Sequence, residues 1–260
     1  MFTYNEIDPI AFQIGPLAVR WYGLMYVIGI LGGWWLGRMH ARKSWVKIDQ
    51  QQVDDMVTWI ALGIILGGRV GSVLFYSFGD FLDRPIMLFE IWKGGMSFHG
   101  GLIGVLVALW WFGKRNKLTF FQLTDFVAPL VPLGLGTGRI GNFINGELWG
   151  KQTDVSWAVV VDGIPRHASQ LYEASLEGCL LFIVLWIFGS KQRPYMALSG
   201  LFLFIYGLVR FAVEFVRLPD QHIGYIAWNW LTQGQILTLP MIFGGIVILF
   251  IAYRQKSEKL

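Results

Sequence analysis

Charge is scarce in this chain: Asp, Glu, Lys and Arg make up 15% of its 260 residues, against 55% hydrophobic ones. With 13 Trp, 20 Phe and 32 Gly, that balance excludes an ordinary soluble domain and marks an integral membrane protein. Cysteine is scarcer still. Cys179 stands alone, so no internal disulfide can form, and its place in an apolar stretch assigns it to helix packing. No HExxH pair, Walker loop, aspartyl-protease pair, metal-ligand cluster or G-x-S-x-G elbow is present. Those absences argue against the corresponding chemistries, and neither metal nor cofactor is expected. Net charge is +4 and the pI about 9.2, but no basic stripe with interleaved aromatics accompanies it, so no nucleic-acid partner is expected. The N-terminal stretch "MFTYNEIDPIAFQIGPLAV" lacks a basic n-region and a small-residue cleavage site. It is therefore expected to lead into a retained helix rather than to be removed as a signal peptide.

Long apolar runs are plentiful. A helix needs about 20 mainly apolar residues to cross a bilayer. Seven segments qualify, near 18–37, 56–76, 96–113, 120–140, 170–189, 198–217 and 235–253. The fold class is thus an all-α polytopic bundle of about seven transmembrane helices, with residues 1–260 forming one transmembrane catalytic domain. The interruption at about 141–169, containing "VSWAVVVDGIPRHASQ", predicts a small strand-and-loop cap outside the cytoplasm. One set of loops carries Arg38, Arg42, Lys43, Lys47, Lys114, Arg115, Lys117, Lys191, Arg193, Arg254, Lys256 and Lys259. The opposite set carries Arg20, Arg84, Lys93, Lys151, Arg166 and Arg217. By the positive-inside rule the N-terminus lies outside and the C-terminus in the cytoplasm.

Three arginines fall within or at the ends of the spans: Arg69, Arg139 and Arg210. Each costs roughly 2.5–3.5 kcal/mol to insert at mid-membrane, so each needs a partner, a water-filled cavity or an anionic ligand. The orientation puts all three in the outer halves of their spans, at a depth shared by Tyr22, Tyr26 and His99. In "YGLVRFAVE", Tyr206, Arg210 and Glu214 lie four residues apart along one helical face. Glu214 suits a buried ion pair as well as a functional role; for Arg210, facing other arginines that outnumber the obvious intramembrane acids, an anionic ligand is the better reading. Tyr22 and Tyr26 also share a face, where an aromatic-belt role competes. His99 in "GGMSFHGGLIG" is either a packing residue or a proton acceptor, with glycines that let lipid or backbone approach. Ser97, nearby, lacks a hydrolase elbow. Asp125, at the cytoplasmic side, is expected to be structural. "GRIGNFINGELWG" adds Asn142, Asn145 and Glu147 to Arg139 among four glycines, more than a helix cap requires. Arginine forks suit phosphate oxygens, and amides suit hydroxyls or ester carbonyls.

These blocks resemble a known family, the prolipoprotein diacylglyceryl transferases. "GRIGNFINGELWG" matches the family signature throughout, and "WYGLMY", "GGRVG", "GGMSFHGGLIG", "HASQLYE" and "YGLVRFAVEF" follow its other blocks in order. One departure is Ala168, where the family typically has proline. The resemblance implies transfer of the sn-1,2-diacylglyceryl group of phosphatidylglycerol to the lipobox cysteine of a preprolipoprotein signal peptide, giving a thioether and glycerol 1-phosphate. It implies a bacterial inner-membrane enzyme surrounded by membrane lipids. It supports His99, Arg139, Asn142, Glu147, Gly150 and Arg210 as site residues, with His99, Arg139 and Arg210 catalytic. Around them, Tyr22, Tyr26, Arg69, Asn145, His167, Tyr206 and Glu214 complete the substrate-binding set, Gly150 giving backbone access. Two other classes compete. A lipid or anion transporter would place polar groups on both sides of the midplane, whereas "LVALWWF" and "GILGGWWL" are almost wholly apolar; a structural scaffold would pair its charges internally.

Overall fold

The computed structural model describes residues 2–15, 17–90, 94–219 and 224–257; Lys93 and Lys259, counted above as loop cations, lie outside them. Along the chain run β1 (Phe2–Thr3), β2 (Ile10–Ile14), β3 (Leu17–Arg20), α1 (Trp21–His40), α2 (Gln50–Tyr76) and α3 (Phe78–Asp83). After a 3-10 turn at Pro85–Phe89 come α4 (Phe98–Asn116), α5 (Phe120–Val127), α6 (Val131–Ile144), β4 (Val159–Val161) and β5 (Ile164–Arg166). Then α7 (Ser169–Glu173) passes through a π-helical stretch, Ala174–Leu180, into α8 (Leu181–Phe188). The last elements are α9 (Ala197–Val213), β6 (Tyr225–Ala227), β7 (Leu231–Thr232) and α10 (Gln233–Ser257).

Each of the seven segments that the sequence marks as spans contains helix, though not always over its full length. Among the described residues, three stretches are long and apolar enough in themselves to cross a bilayer: Gln50–Tyr76, Ser169–Phe188 and Gln233–Gln255. Segment 120–140 is not one helix. It breaks after Val127, where Pro129 and Pro132 remove two backbone donors, and Pro132 is tolerated because it sits in the first turn of α6. Segment 18–37 begins later than expected, because residues 17–20 form the second strand of a hairpin with Ile14 opposite Leu17 and Ile10 opposite Arg20. The interruption after α6 holds the expected strands. β4 and β5 pair antiparallel through Asp162 and Gly163, both at positive φ, as a tight hairpin turn requires, and β1 adds in parallel.

Contacts divide the chain into two compact units, Gly37–Leu123 and Met1–Leu36 with Thr124–Leu260. In the first, α2 opens on a capping box: Asp49 accepts from the Gln52 amide at 2.8 Å, and the Asp49 amide donates to Gln52 Oε1 at 3.1 Å. Gly63, Gly67 and Gly71, four apart on α2, meet Gly100 and Gly104 on α4. A Cβ on Gly104 would lie 2.1 Å from the Gly63 carbonyl oxygen, and one on Gly100 2.3 Å from that of Gly67. Small residues here let two helix backbones touch, a packing that bilayer helices favour.

In the second unit Asp125 caps α9, accepting from the amides of Met196 (2.7 Å) and Ser199 (2.8 Å) and from the Ser199 hydroxyl (2.6 Å). Its role is structural, as expected. Leu181, Leu185 and Leu198 form a buried cluster against which Phe202 and Tyr206 pack. Cys179 corrects the sequence reading: its side chain is exposed, and the helix contact falls instead on Gly178, which meets Gly136 of α6.

Candidate active site

The stretch "GRIGNFINGELWG" begins on the last turns of α6 and leaves it at Asn145. Gly146 and Leu148 take positive φ, folding the chain back so that the Glu147 amide donates to the Asn142 carbonyl at 2.9 Å. The Glu147 carboxylate then accepts from Asn142 Nδ2 on one oxygen and from Asn145 Nδ2 on the other, each at 3.2 Å. Tyr22 of α1 lies against Gly141, where a Cβ would come within 2.9 Å of its ring. Its hydroxyl faces the Asn142 side chain and lies 3.2 Å from that of Tyr26. Tyr22, Tyr26, Asn142, Asn145 and Glu147 are therefore brought together. The loop is fastened from α7, where Gln170 donates to the Glu147 carbonyl and Ser169 Oγ to that of Leu148.

Gly150 is glycine for a packing reason. A Cβ there would lie 2.5 Å from the Val216 carbonyl oxygen and 2.9 Å from His167 Cβ. Its amide, expected to be open to a ligand, donates to the His167 carbonyl at 2.8 Å. His167 sets its Nδ1 3.1 Å from the Tyr172 hydroxyl; burial, and then the nearby Lys151 charge, lower its pKa below the ordinary histidine value.

Behind this loop the arginines meet acids. Arg139 approaches Glu173 at 3.4 Å and Glu177 at 3.6 Å. Arg210 donates to Glu173 Oε1 at 2.6 Å and, through its other terminal nitrogen, to Glu214. Arg217 donates to the same Glu173 oxygen at 2.7 Å and lies 3.6 Å from Glu214. Glu214 also accepts from Thr232 at 3.1 Å, and Tyr206, stacked on Phe202, faces Glu177 and Arg210. This overturns the charge count drawn from the sequence. Glu173 and Glu177 are both fully buried, so three acids match three arginines here. Arg217, assigned to an outer loop, is a full member, and it also lines a cleft of about 430 Å³ with Leu148, Trp149, Asp162 and Arg166. Arg139 keeps the most exposed side chain of the three, at 20%.

The other unit holds His99 and Arg69. His99 is an exposed residue of the first turn of α4, edge-on to Phe98 at 5.7 Å. Ser97 is buried as the α4 N-cap, accepting from the Gly100 amide at 3.2 Å, a structural task rather than a nucleophile's. The glycine after His99 admits the backbone of α2. Arg69 is buried and surrounded by carbonyls: it donates to Gly94 at 2.5 Å, Gly95 at 3.2 Å, Leu88 at 3.3 Å and also to Met87. Among the described residues no group of three or more His, Cys, Asp or Glu is placed to hold a metal ion.

Apolar helices, one of them the bilayer-length Ser169–Phe188, that bury a cluster of three arginines and three glutamates beside a polar, glycine-folded loop mark a helical membrane protein with a built polar site. A family model described as prolipoprotein diacylglyceryl transferase matches residues 9–251, and the chain belongs to that family. Curated relatives named phosphatidylglycerol–prolipoprotein diacylglyceryl transferase include one from Pseudomonas fluorescens, 55% identical, and one from Pseudomonas aeruginosa, 56% identical. Both alignments cover 100% of this chain and 98% of the relative. A third, from Ectopseudomonas mendocina, is 55% identical over 98% of each chain. Membership of a transferase family sets the transporter and scaffold readings aside.

Proposed function

We propose that this chain, acting as one transmembrane catalytic domain, transfers the sn-1,2-diacylglyceryl group of phosphatidylglycerol to the lipobox cysteine thiol of preprolipoproteins. The sulfur–carbon bond forms at the lipid's glycerol carbon as the carbon–oxygen bond to phosphate breaks. The thiol proton passes to a base, and glycerol 1-phosphate leaves. The observation that carries this reading is the cluster of Arg139, Arg210 and Arg217 on Glu173, Glu177 and Glu214 directly behind the "GRIGNFINGELWG" loop. Guanidinium groups held in place by buried carboxylates stabilise negative charge where it develops without having to reorganise.

In this reading Arg139, the most exposed of the three, and Arg210 bind the headgroup and stabilise the departing phosphate. Tyr206 and Glu214 orient Arg210. Asn142, Asn145, Glu147, Tyr22 and Tyr26 position lipid or peptide, while His167 and Gly150 hold the loop's outer end. His99 takes the proton of a thiol that, near pKa 8.5, is mostly neutral at pH 7. Arg69 fixes the segment that leads to His99. Seven spans carry these groups in a bacterial inner membrane, with the N-terminus and the β4–β5 cap periplasmic and the C-terminus cytoplasmic, a reading that the bias of loop Lys and Arg supports.

The test is to incubate the purified protein with phosphatidylglycerol and a lipobox peptide. A diacylglyceryl thioether and free glycerol phosphate are expected. Equal product from a Cys-to-Ser peptide, or none from the cysteine peptide, overturns the reading.

A further inference from the structure

The three arginines and three glutamates are formally neutral, and that creates a problem for an anionic ligand. Phosphatidylglycerol brings one negative charge on its phosphodiester. With every acid ionised, the occupied cluster would hold one excess negative charge in a mostly dry setting, where an unbalanced charge is costly. One of the three acids differs from the others. Glu173 accepts two direct arginine bonds on one oxygen, and Glu214 accepts from Arg210 and Thr232. Glu177 is fully buried, yet neither of its oxygens has a hydrogen-bond donor. Its nearest guanidinium nitrogens stand off at 3.6 Å on Arg139 and 3.9 Å on Arg210, beyond hydrogen-bond distance.

Glu177 also sits in the middle of the π-helical Ala174–Leu180 stretch. An added residue in a helical turn sets a side chain on a face that α-helical spacing would not give it, and such turns concentrate at functional sites. The Gly136–Gly178 contact holds this turn against α6, one turn before Arg139. The ionisable groups facing Glu177 are Arg139 from α6, Glu173 from its own helix, Tyr206 and Arg210 from α9, and Arg217 beyond it.

We infer that Glu177 is the proton store of this cluster: it is protonated when the anionic phosphodiester headgroup binds, leaving the arginines one net positive charge to match it. Glu177 touches neither substrate nor reacting atoms in this role. It is a positioning residue that acts through Arg139 and Arg210, and the inference rests on the phosphatidylglycerol reading above.

The experiment measures phosphatidylglycerol binding to the purified full-length protein in detergent, by calorimetry in two buffers of different ionisation enthalpy. As pH rises, the wild type should take up a quantity of protons approaching one per lipid, and its affinity should fall by about tenfold per pH unit, the slope of a single linked proton. Glu177→Gln, neutral at every pH, should bind without that uptake and with a flat profile, becoming tighter than the wild type at high pH; Glu177→Asp should keep the slope. In turnover the wild type's KM should follow the same slope while kcat does not. Wild-type binding without proton uptake overturns the inference, and so does an unchanged slope in Glu177→Gln. The wild-type calorimetry stands even if the variants fail to fold. Proton-linked binding with no thioether product would overturn the transferase reading and leave the proton store intact.

Discussion

Gly178 and Gly136 meet backbone to backbone: a Cβ on Gly178 would lie 2.7 Å from the Gly136 Cα. This contact sets how near α6, with Arg139, comes to the helix that carries Glu173 and Glu177. Gly178→Ala must push the helices apart, at about 1–3 kcal/mol for an overpacked site. A lower thermal midpoint in detergent and at least a tenfold loss of transfer are expected, whereas Cys179→Ala on the exposed neighbouring position leaves both unchanged. A Gly178→Ala protein as stable as the wild type would count against the close contact.

Glu173 carries more of the cluster than any other acid. Three arginines approach it, and none of its side chain is exposed. Glu173→Ala leaves those cations short of a partner and should cost about 3–5 kcal/mol, the range for breaking a buried pair. Combining it with Arg217→Ala should cost less than the sum of the two single changes, by roughly 0.5–3 kcal/mol for groups in contact. Denaturation of the four proteins in detergent gives the cycle, and strict additivity would mean that the pair does not interact.

His99 is exposed on α4, free of the burial that would make it a packing residue. His99→Gln should therefore leave folding and phosphatidylglycerol binding near wild-type levels and reduce turnover by roughly 10²–10⁴, the usual contribution of general acid–base catalysis. Full transfer by this variant would remove His99 as the base.

His40 offers a pH signature away from the site. It is buried at the end of α1, with Lys43 Nζ donating to its Nδ1 at 3.3 Å. Burial, and then the Lys43 charge, lower its pKa from 6.5 to about 4. The folded protein therefore keeps His40 neutral where the unfolded chain takes a proton. Its contribution to stability is complete above pH 6.5 and is lost as pH falls from there toward 4, by ~2 kcal/mol at pH 5. Thermal midpoints at pH 7 and 5 should differ by correspondingly less in His40→Gln.

Ala168 stands where the family typically has proline, and its backbone already suits one: φ is −78°, inside the range that the proline ring imposes. Ala168→Pro should raise stability by about 0.4–1 kcal/mol through the unfolded state, with transfer unchanged. A marked loss of either would show that the buried Ala168 methyl has no room for a ring.

Apolar length alone makes the helices legible in the sequence, and charge within those runs makes Arg69, Arg139 and Arg210 legible. The acids gave the same kind of signal. Glu173 and Glu177 lie four residues apart inside segment 170–189, where two carboxylates are as costly as arginines and point to the same conclusion. The meaning of Gly150 and of the α2 and α4 glycines was less accessible, because a glycine that opens space for a ligand and one that admits another backbone look identical until the neighbour is known. The β2–β3 hairpin and the break at Pro129 escape a search for 20-residue apolar runs, since both lie inside or beside such a run. The role of Arg217 was hidden by its position at a helix end, where most arginines serve the loop.

The charged cluster also bears on how the chain enters a membrane. Its members are made in the order Arg139, Glu173, Glu177, Arg210, Glu214 and Arg217. Counted as formal charges in that order, the running total never strays more than one unit from neutral. Arg139 waits only for the next member, Glu173; when Arg210 emerges Glu173 and Glu177 already precede it, and Glu214 follows four residues later. A site that would be prohibitive to insert as a block is thus delivered to the bilayer as a sequence of small, mutually cancelling steps.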